Sequence, residues 1–289
     1  MRYSRRCSAV TGNSKVKGKM GKLIKNDFLA SARIIPLFYI LEAISIVLFY
    51  IGDKTQKPLP LGLGVAFTMI VAFLLIFISL FFVVYDFNKS LFSQQGYLSF
   101  SLPVTSKQLL GSKMIVYGGW MILSYLVFTV VMAFTGQYVS MDVVGEENMN
   151  MVETFLYMFM PTLPPKSMLI VYLIYYVANF FIIVLLTVSM IYFSIAASHM
   201  RPFQKHNVIF AVIIFVAVAV LFGILLAALN KFFRFDLAMY DNGSFGLAIG
   251  ADPYSGNYVA LMPVFGYIAY AVALFFGTSY IMHKKVNIK

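Results

Sequence analysis

The chain has 289 residues, of which 61% are hydrophobic and 11% are charged, against about 45–50% and about 25% in an average soluble domain. A water-soluble core cannot absorb that much apolar surface, which disfavours a soluble enzyme, a disordered chain and a nucleic-acid-binding domain. The net charge is +11, and the single cysteine, Cys7, excludes a disulfide within the chain and a multi-thiolate metal site. Most of the chain is therefore expected to face lipid or other lipid-embedded helices.

The chain begins with a polar, basic stretch, residues 1–19, which we predict to be a disordered extension ahead of a membrane domain formed by residues 20–289. Residues 22–33 are amphipathic, and Ile24, Phe28 and Leu29 share one helical face. Such a segment lies in the membrane interface with its basic residues at the headgroups. Two interpretations stay open: a simple anchor, or an elbow helix that orients the first membrane span.

Six apolar segments are long enough to cross a bilayer of about 30 Å at 1.5 Å per residue. They cover residues 34–51, 63–85, 114–134, 168–198, 208–229 and 258–282. Because backbone amides in lipid must be paired within the segment, these are predicted to be helices. The predicted fold class is an all-α membrane protein with six transmembrane helices.

The basic residues predict the orientation of these spans. Seventeen of the 22 lysines and arginines lie before the first span, in the second and fourth connections, or after the last span. The positive-inside rule assigns that side to the cytoplasm. Both termini, and the connection between the second and third spans, are therefore predicted to be cytoplasmic in a multi-pass protein that contacts membrane lipids.

The second cytoplasmic connection, residues 86–103, is far too apolar for a solvated loop. Phe87, Leu91 and Phe92 could share one helical face, and Gly96 would end that helix. An exposed apolar surface of this kind usually marks an interaction site. The alternative interpretation is that it packs beneath its own helix bundle.

The next helix is predicted to start just after this connection. Thr105 and Gln108 have the spacing of a capping box, in which each side chain bonds the backbone amide of the other residue. We therefore expect an ordered helix start that leads directly into the third span.

Two polar residues inside the spans are candidates for an intramembrane site. Glu42 in the first span is costly there and should face the bundle interior or a cavity. It is interpreted either as a substrate or cation contact or as a protonated structural acid. Asn179 in the fourth span is expected to form an interhelical hydrogen bond rather than a ligand site.

The sequence contains no recognisable catalytic constellation. The histidines His199, His206 and His283 all fall at predicted cytoplasmic membrane edges, and there is no HExxH motif and no Walker A pattern. We predict no catalytic residue, no metal ligand and no cofactor site in this chain. If the protein uses ATP, another subunit must hydrolyse it.

At the second cytoplasmic connection the sequence resembles bacterial ABC-2 type transporter permeases. The matching residues are Leu91-Phe92, the run from Gly96 to Thr105 (Gly-Tyr-Leu-Ser-Phe-Ser-Leu-Pro-Val-Thr), and the run from Gln108 to Lys113. Residues 20–33, with Asp27-Phe28, also look like the elbow region of that family. The six spans with both ends inside match it as well.

The resemblance implies a non-catalytic subunit of an exporter in the bacterial plasma membrane. In that family two permease chains pair with two ATPase subunits, which bind ATP and Mg²⁺. An elbow helix precedes the first span, and a coupling helix docks into the ATPase. On this chain the coupling helix corresponds to residues 87–98, and its docking residues would be Phe87, Leu91, Phe92, Gln95, Gly96, Tyr97 and Leu98.

Several alternatives stay open. The second permease chain is either an identical copy or a paralogue, and nothing in the sequence selects a substrate. An ion-coupled secondary carrier would need a set of mid-membrane ionisable groups, of which only Glu42 is evident. A membrane sensor or scaffold would instead use the apolar connection to bind another cytosolic protein.

Overall fold

The computed structural model describes residues 12–55, 57–92, 105–144, 169–200, 206–233, 235–239, 245–249 and 258–284. These residues form seven helices and three short strands. In chain order they are α1 (Gly12–Ser31), α2 (Ile35–Thr55), α3 (Pro58–Phe92), α4 (Ser106–Val144), α5 (Leu169–Ser198), α6 (Asn207–Phe232), β1 (Phe235–Met239), β2 (Phe245–Ile249), β3 (Tyr258–Ala260) and α7 (Met262–Lys284).

Six of the helices, α2 to α7, are long and apolar enough to cross a membrane. Their most apolar stretches have a mean hydropathy between 1.6 and 3.3. The nearly all-helical chain with six such helices agrees with the predicted all-α, multi-pass membrane protein, whereas the three strands were not predicted. Helix α3 has 35 residues and is therefore about 52 Å long at 1.5 Å per residue. It exceeds the hydrocarbon core and continues past the predicted end of its span.

Two predicted boundaries differ from the structure. Helix α1 begins at Gly12, so no helix boundary separates residues 12–19 from the predicted membrane domain. Tyr258–Ala260, predicted as the start of the sixth span, forms strand β3. It pairs antiparallel with β1, which also pairs with β2. The sixth span begins only at Met262, beside Pro263, which lacks an amide hydrogen and suits a first helical turn.

Helices α2 and α3 form a close antiparallel pair. A Cβ placed on Gly64 would lie 2.9 Å from the Cα of Phe49, so only glycine permits this backbone approach. The Thr68 hydroxyl donates to the Ser45 backbone carbonyl at 3.1 Å. These contacts set the register of the two helices, with Phe49 opposite Gly64 and Ser45 opposite Thr68.

The largest apolar core joins α3, α4 and α5. Its fully buried members include Phe87 of α3, Leu110 and Tyr117 of α4, and Tyr192 of α5. These residues lie where α3 and α5 end and α4 begins, which we call the Lys113 end of the bundle. Helix α6 differs, because only 6% of its most apolar stretch is buried within the described chain. Its side chains are therefore available to lipid.

Candidate functional site

A buried lysine joins three helices at the Lys113 end. The side chain of Lys113 is only 2% exposed, and its Nζ lies 3.2 Å from Oδ1 of Asp27 and 2.5 Å from Oδ2 of Asp86. The Ser112 hydroxyl donates to the other oxygen of Asp27 at 3.3 Å. The ammonium also lies 5.7 Å from the ring centre of Tyr117. We call Asp27, Asp86 and Lys113 the ion cluster; it ties α1 and α3 to α4.

The ion cluster places two carboxylates around one ammonium. Burial raises the pKa of Asp27 above its usual value of 3.8, and this effect outweighs the opposing attraction of Lys113. Asp86 adds a smaller upward contribution, because two nearby negative charges repel each other. Removing the lysine would therefore leave Asp27 in a site that disfavours its charge, with a second acid close by.

The ion cluster was not predicted from the sequence, where Asp27 and Lys113 are named only within the runs that resemble the permease family. One signal was available: Asp86 and Lys113 flank the same connection at the ends of two successive apolar runs. Opposite charges at the same membrane depth favour pairing, because a lone charge there is costly.

A second set of contacts packs α1 against α4. The indole Nε1–H of Trp120 donates to the Ser31 hydroxyl at 2.8 Å. The Phe28 ring stacks on the indole with a centroid separation of 5.4 Å. Phe28 and Leu29 remain 48% and 52% exposed, and Ile24 is half-buried. The helix predicted here is present, and its elbow role at the membrane interface stays a prediction.

Two predicted docking side chains lie in the core instead. Phe87 and Leu91 are completely buried, and the Phe87 ring stacks on Tyr192 at 4.0 Å between centroids. The expectation that they form an exposed surface is wrong, because α3 continues through Asp86 to Phe92 and turns these positions towards α5. Phe92 packs similarly, with its ring 4.1 Å from that of His199.

The other predicted docking residues, Gln95, Gly96, Tyr97 and Leu98, lie outside the described residues. On both sides of the connection of residues 93–104, the described helix ends are held by specific contacts. Beyond it, the Thr105 amide donates to the Gln108 side-chain oxygen at 3.1 Å. The Gln108 amide donates to the Thr105 hydroxyl at 3.3 Å. This confirms the predicted capping box at the start of α4.

His199 follows the last residue of α5. Its ring Nδ1 lies 2.8 Å from the Ile195 backbone carbonyl. Burial lowers the pKa of His199 below its usual value of 6.5, and the bond to Ile195 opposes that shift only in part. The neutral imidazole is thus the form that suits the stack on Phe92.

The two predicted intramembrane polar residues behave differently. Glu42 is 1% exposed, and neither of its carboxyl oxygens has a hydrogen-bond partner among the residues that the structure describes. Asn179 donates to the backbone carbonyl of Tyr175, four residues earlier in α5, at 3.1 Å. The interhelical bond expected of Asn179 is therefore replaced, within the described part of the chain, by a bond inside its own helix.

Within the ranges given above, no group of three or more His, Cys, Asp or Glu side chains is arranged to hold a metal ion. Comparison with protein-family models, with curated proteins and with solved structures found no match. The features of the described chain that point to a function are the ion cluster, the helix ends beside residues 93–104, and Glu42.

Proposed function

We propose that this chain is the membrane permease subunit of an ATP-binding cassette exporter. It would itself be non-catalytic, and a separate ATPase subunit that binds ATP and Mg²⁺ would drive outward movement of the substrate. The observation that carries this proposal is the packing of the two described helix ends that flank the connection of residues 93–104. On either side of that connection, α3 and α4 are bonded to each other and to α1 and α5.

The contacts around this connection link the described helix ends to one another. A displacement of residues 93–104 would act on α3 at Phe92, whose ring is stacked on His199, the residue directly after α5. It would act on α4 through the capping box at Thr105 and Gln108. Lys113 then ties α4 to α3 and α1, so the four helix ends would move together. Nucleotide binding can drive such a change only if the partner binds the two conformations unequally.

The burial of Phe87 and Leu91 narrows the proposed docking surface. In this proposal the ATPase contacts Gln95, Gly96, Tyr97 and Leu98, while Phe87 and Leu91 transmit the motion to α5. The Lys113 end faces the cytoplasm of a bacterium, both termini are cytoplasmic, and a second permease chain completes the transporter.

The test is co-purification of the tagged full-length chain with an ABC-type ATPase encoded beside its gene. We expect a stable complex with ATPase activity, and loss of the complex in Tyr97→Ala/Leu98→Ala without a change in melting temperature. Leu59→Ala is the matched control, because Leu59 is an exposed leucine at the opposite end of α3. Phe92→Ala is a poor docking probe, since it would also disturb the His199 stack. Unchanged assembly of the double variant would contradict the docking role.

An ion-coupled carrier is the alternative that one observation favours, namely the burial of Glu42 without a hydrogen-bond partner in the described chain. The two functions are distinguished by replacing the Walker A lysine of the ATPase in the complex. An exporter stops transporting, whereas an ion-coupled carrier continues. A sensor or scaffold would instead yield no co-purifying ATPase.

A further inference from the structure

Glu42 occupies the centre of the buried face of α2. The other buried residues of this helix are Ile35, Ser45, Phe49 and Gly52, which share one helical stripe with Glu42. At 1% exposure the carboxyl group is shielded from both lipid and solvent. Neither of its oxygens meets hydrogen-bond geometry within the described chain. The neighbouring hydroxyl of Ser45 donates to the Glu42 backbone carbonyl at 2.8 Å instead.

The facing surface of α3 is apolar at this level. The register has Phe49 opposite Gly64 and Ser45 opposite Thr68. Continuing it by one turn places Glu42 opposite Val71, with Ala72 beside it and Leu75 one turn further along α3. Those three side chains are at most 2% exposed and offer no hydrogen bond or charge.

No charged residue occupies the helices around Glu42 at its depth. Residues 58–85 of α3, 114–135 of α4 and 169–198 of α5 contain no Asp, Glu, Lys, Arg or His. Along the chain the nearest charges are Arg33 and Asp53, nine and eleven residues away, which in a helix corresponds to about 14 and 16 Å. The ionised form of Glu42 would therefore be an uncompensated charge in a low-dielectric site, and such groups neutralise by taking up a proton.

Hydroxyl groups lie one turn away on either side. Towards the Lys113 end, the Tyr39 hydroxyl is 2.7 Å from that of Ser124, and Ser124 is 2.5 Å from the Ser79 hydroxyl. Towards the other end lie Ser45 and Thr68. Tyr39 is three residues before Glu42 and lies on the same helical face. Since a hydroxyl both donates and accepts, the Tyr39–Ser124–Ser79 group is suited to pass a proton.

We propose that Glu42 is a proton-binding site, whose carboxyl group carries an exchangeable proton at neutral pH and exchanges it through the hydroxyl of Tyr39. A single carboxyl group facing Val71, Ala72 and Leu75 lacks the several oxygen ligands that hard metal cations require, so the ligand is a proton. The inference does not depend on an ATPase partner and holds whichever transport function the chain has.

The test is infrared spectroscopy of the full-length protein in lipid vesicles. The chain has four glutamates, Glu42, Glu146, Glu147 and Glu153. In the variant Glu146→Gln/Glu147→Gln/Glu153→Gln, made by cell-free synthesis with δ-carboxyl-¹³C glutamate and with glutamate metabolism inhibited so that aspartate stays unlabelled, an isotope-shifted carboxyl band comes from Glu42. We expect the carbonyl stretch of a protonated carboxyl group at pH 7, where an exposed glutamate with a pKa of about 4.3 is ionised. The band should shift again in D₂O.

Three variants complete the experiment. Glu42→Gln should lose the band, whereas Asp53→Asn, at the end of the same helix, should keep it. Tyr39→Phe should keep the band and slow its shift in D₂O. A missing band at pH 7, or a band that does not shift in D₂O, overturns the proton-binding site. Exchange at the wild-type rate in Tyr39→Phe overturns the proposed route. The ¹³C measurement needs no change at Glu42, so it remains decisive if Glu42→Gln fails to fold.

Discussion

Replacement of Lys113 by methionine tests whether the ion cluster holds α1 and α3 onto α4. Methionine keeps an unbranched side chain of similar length and removes the ammonium. Removing one partner of a buried ion pair costs about 3–5 kcal/mol, because the other charge is left uncompensated. Here the two carboxylates keep 19% and 21% exposure, and water screens them in part. We therefore expect a loss near the lower limit, about 3 kcal/mol.

Trp120 provides the assay. It is the only tryptophan in the chain, and Phe28 and Ser31 of α1 contact its indole. Its emission therefore reports on α1 docking as well as on unfolding. At roughly 2–4 °C per kcal/mol for a chain of this size, Lys113→Met should lower the melting temperature in detergent by roughly 6–12 °C. Its emission should also move towards that of a more water-exposed indole.

The matched control is Lys89→Met, which removes an exposed lysine from the last turn of α3. A surface lysine contributes less than about 1 kcal/mol, so its melting temperature should stay near that of the wild type. Adding Asp27→Asn and Asp86→Asn to Lys113→Met should restore part of the lost stability, because the uncompensated charges are then gone. If Lys113→Met melts like the wild type with unchanged Trp120 emission, the ion cluster does not hold these helices.

Three further predictions concern backbone packing and pH. Gly64→Ala should lower the free energy of unfolding by about 1–3 kcal/mol, because the new Cβ would meet the backbone of α2. Gly62→Ala should be neutral or stabilising by up to about 1 kcal/mol, because nothing lies within 4 Å of the new Cβ. Thermal melts of the two variants test this difference. The pKa of His199 is lowered, so the stability that its neutral ring contributes is complete above pH 6.5 and is lost as the pH falls through the lowered pKa. In melts between pH 7.5 and pH 5, His199→Phe should not show this loss of stability. The pKa of Asp27 is raised, so its contribution to stability is greatest below pH 3.8 and declines as the pH rises through the raised pKa. The melting temperature of Asp27→Asn should not show this decline with rising pH.

Local features of this protein were predictable because they depend on neighbouring residues alone. Six apolar runs predicted six helices, since lipid leaves a backbone no other way to satisfy its amides. The capping box at Thr105 and Gln108 was also predictable, because both partners lie within one turn. The burial of Glu42 followed from the cost of exposing a carboxyl group to lipid.

The tertiary structure decided how each helix is rotated and how far it extends. Phe87 and Leu91 suit an exposed surface as well as a core, and only the continuation of α3 alongside α5 turns them inward. Asp27, Asp86 and Lys113 lie on three helices as much as 86 residues apart along the chain, so their meeting is invisible to periodicity. Apolar periodicity constrains one helix at a time, whereas an ion cluster or an unpartnered carboxyl group depends on what the neighbouring helices present at the same depth.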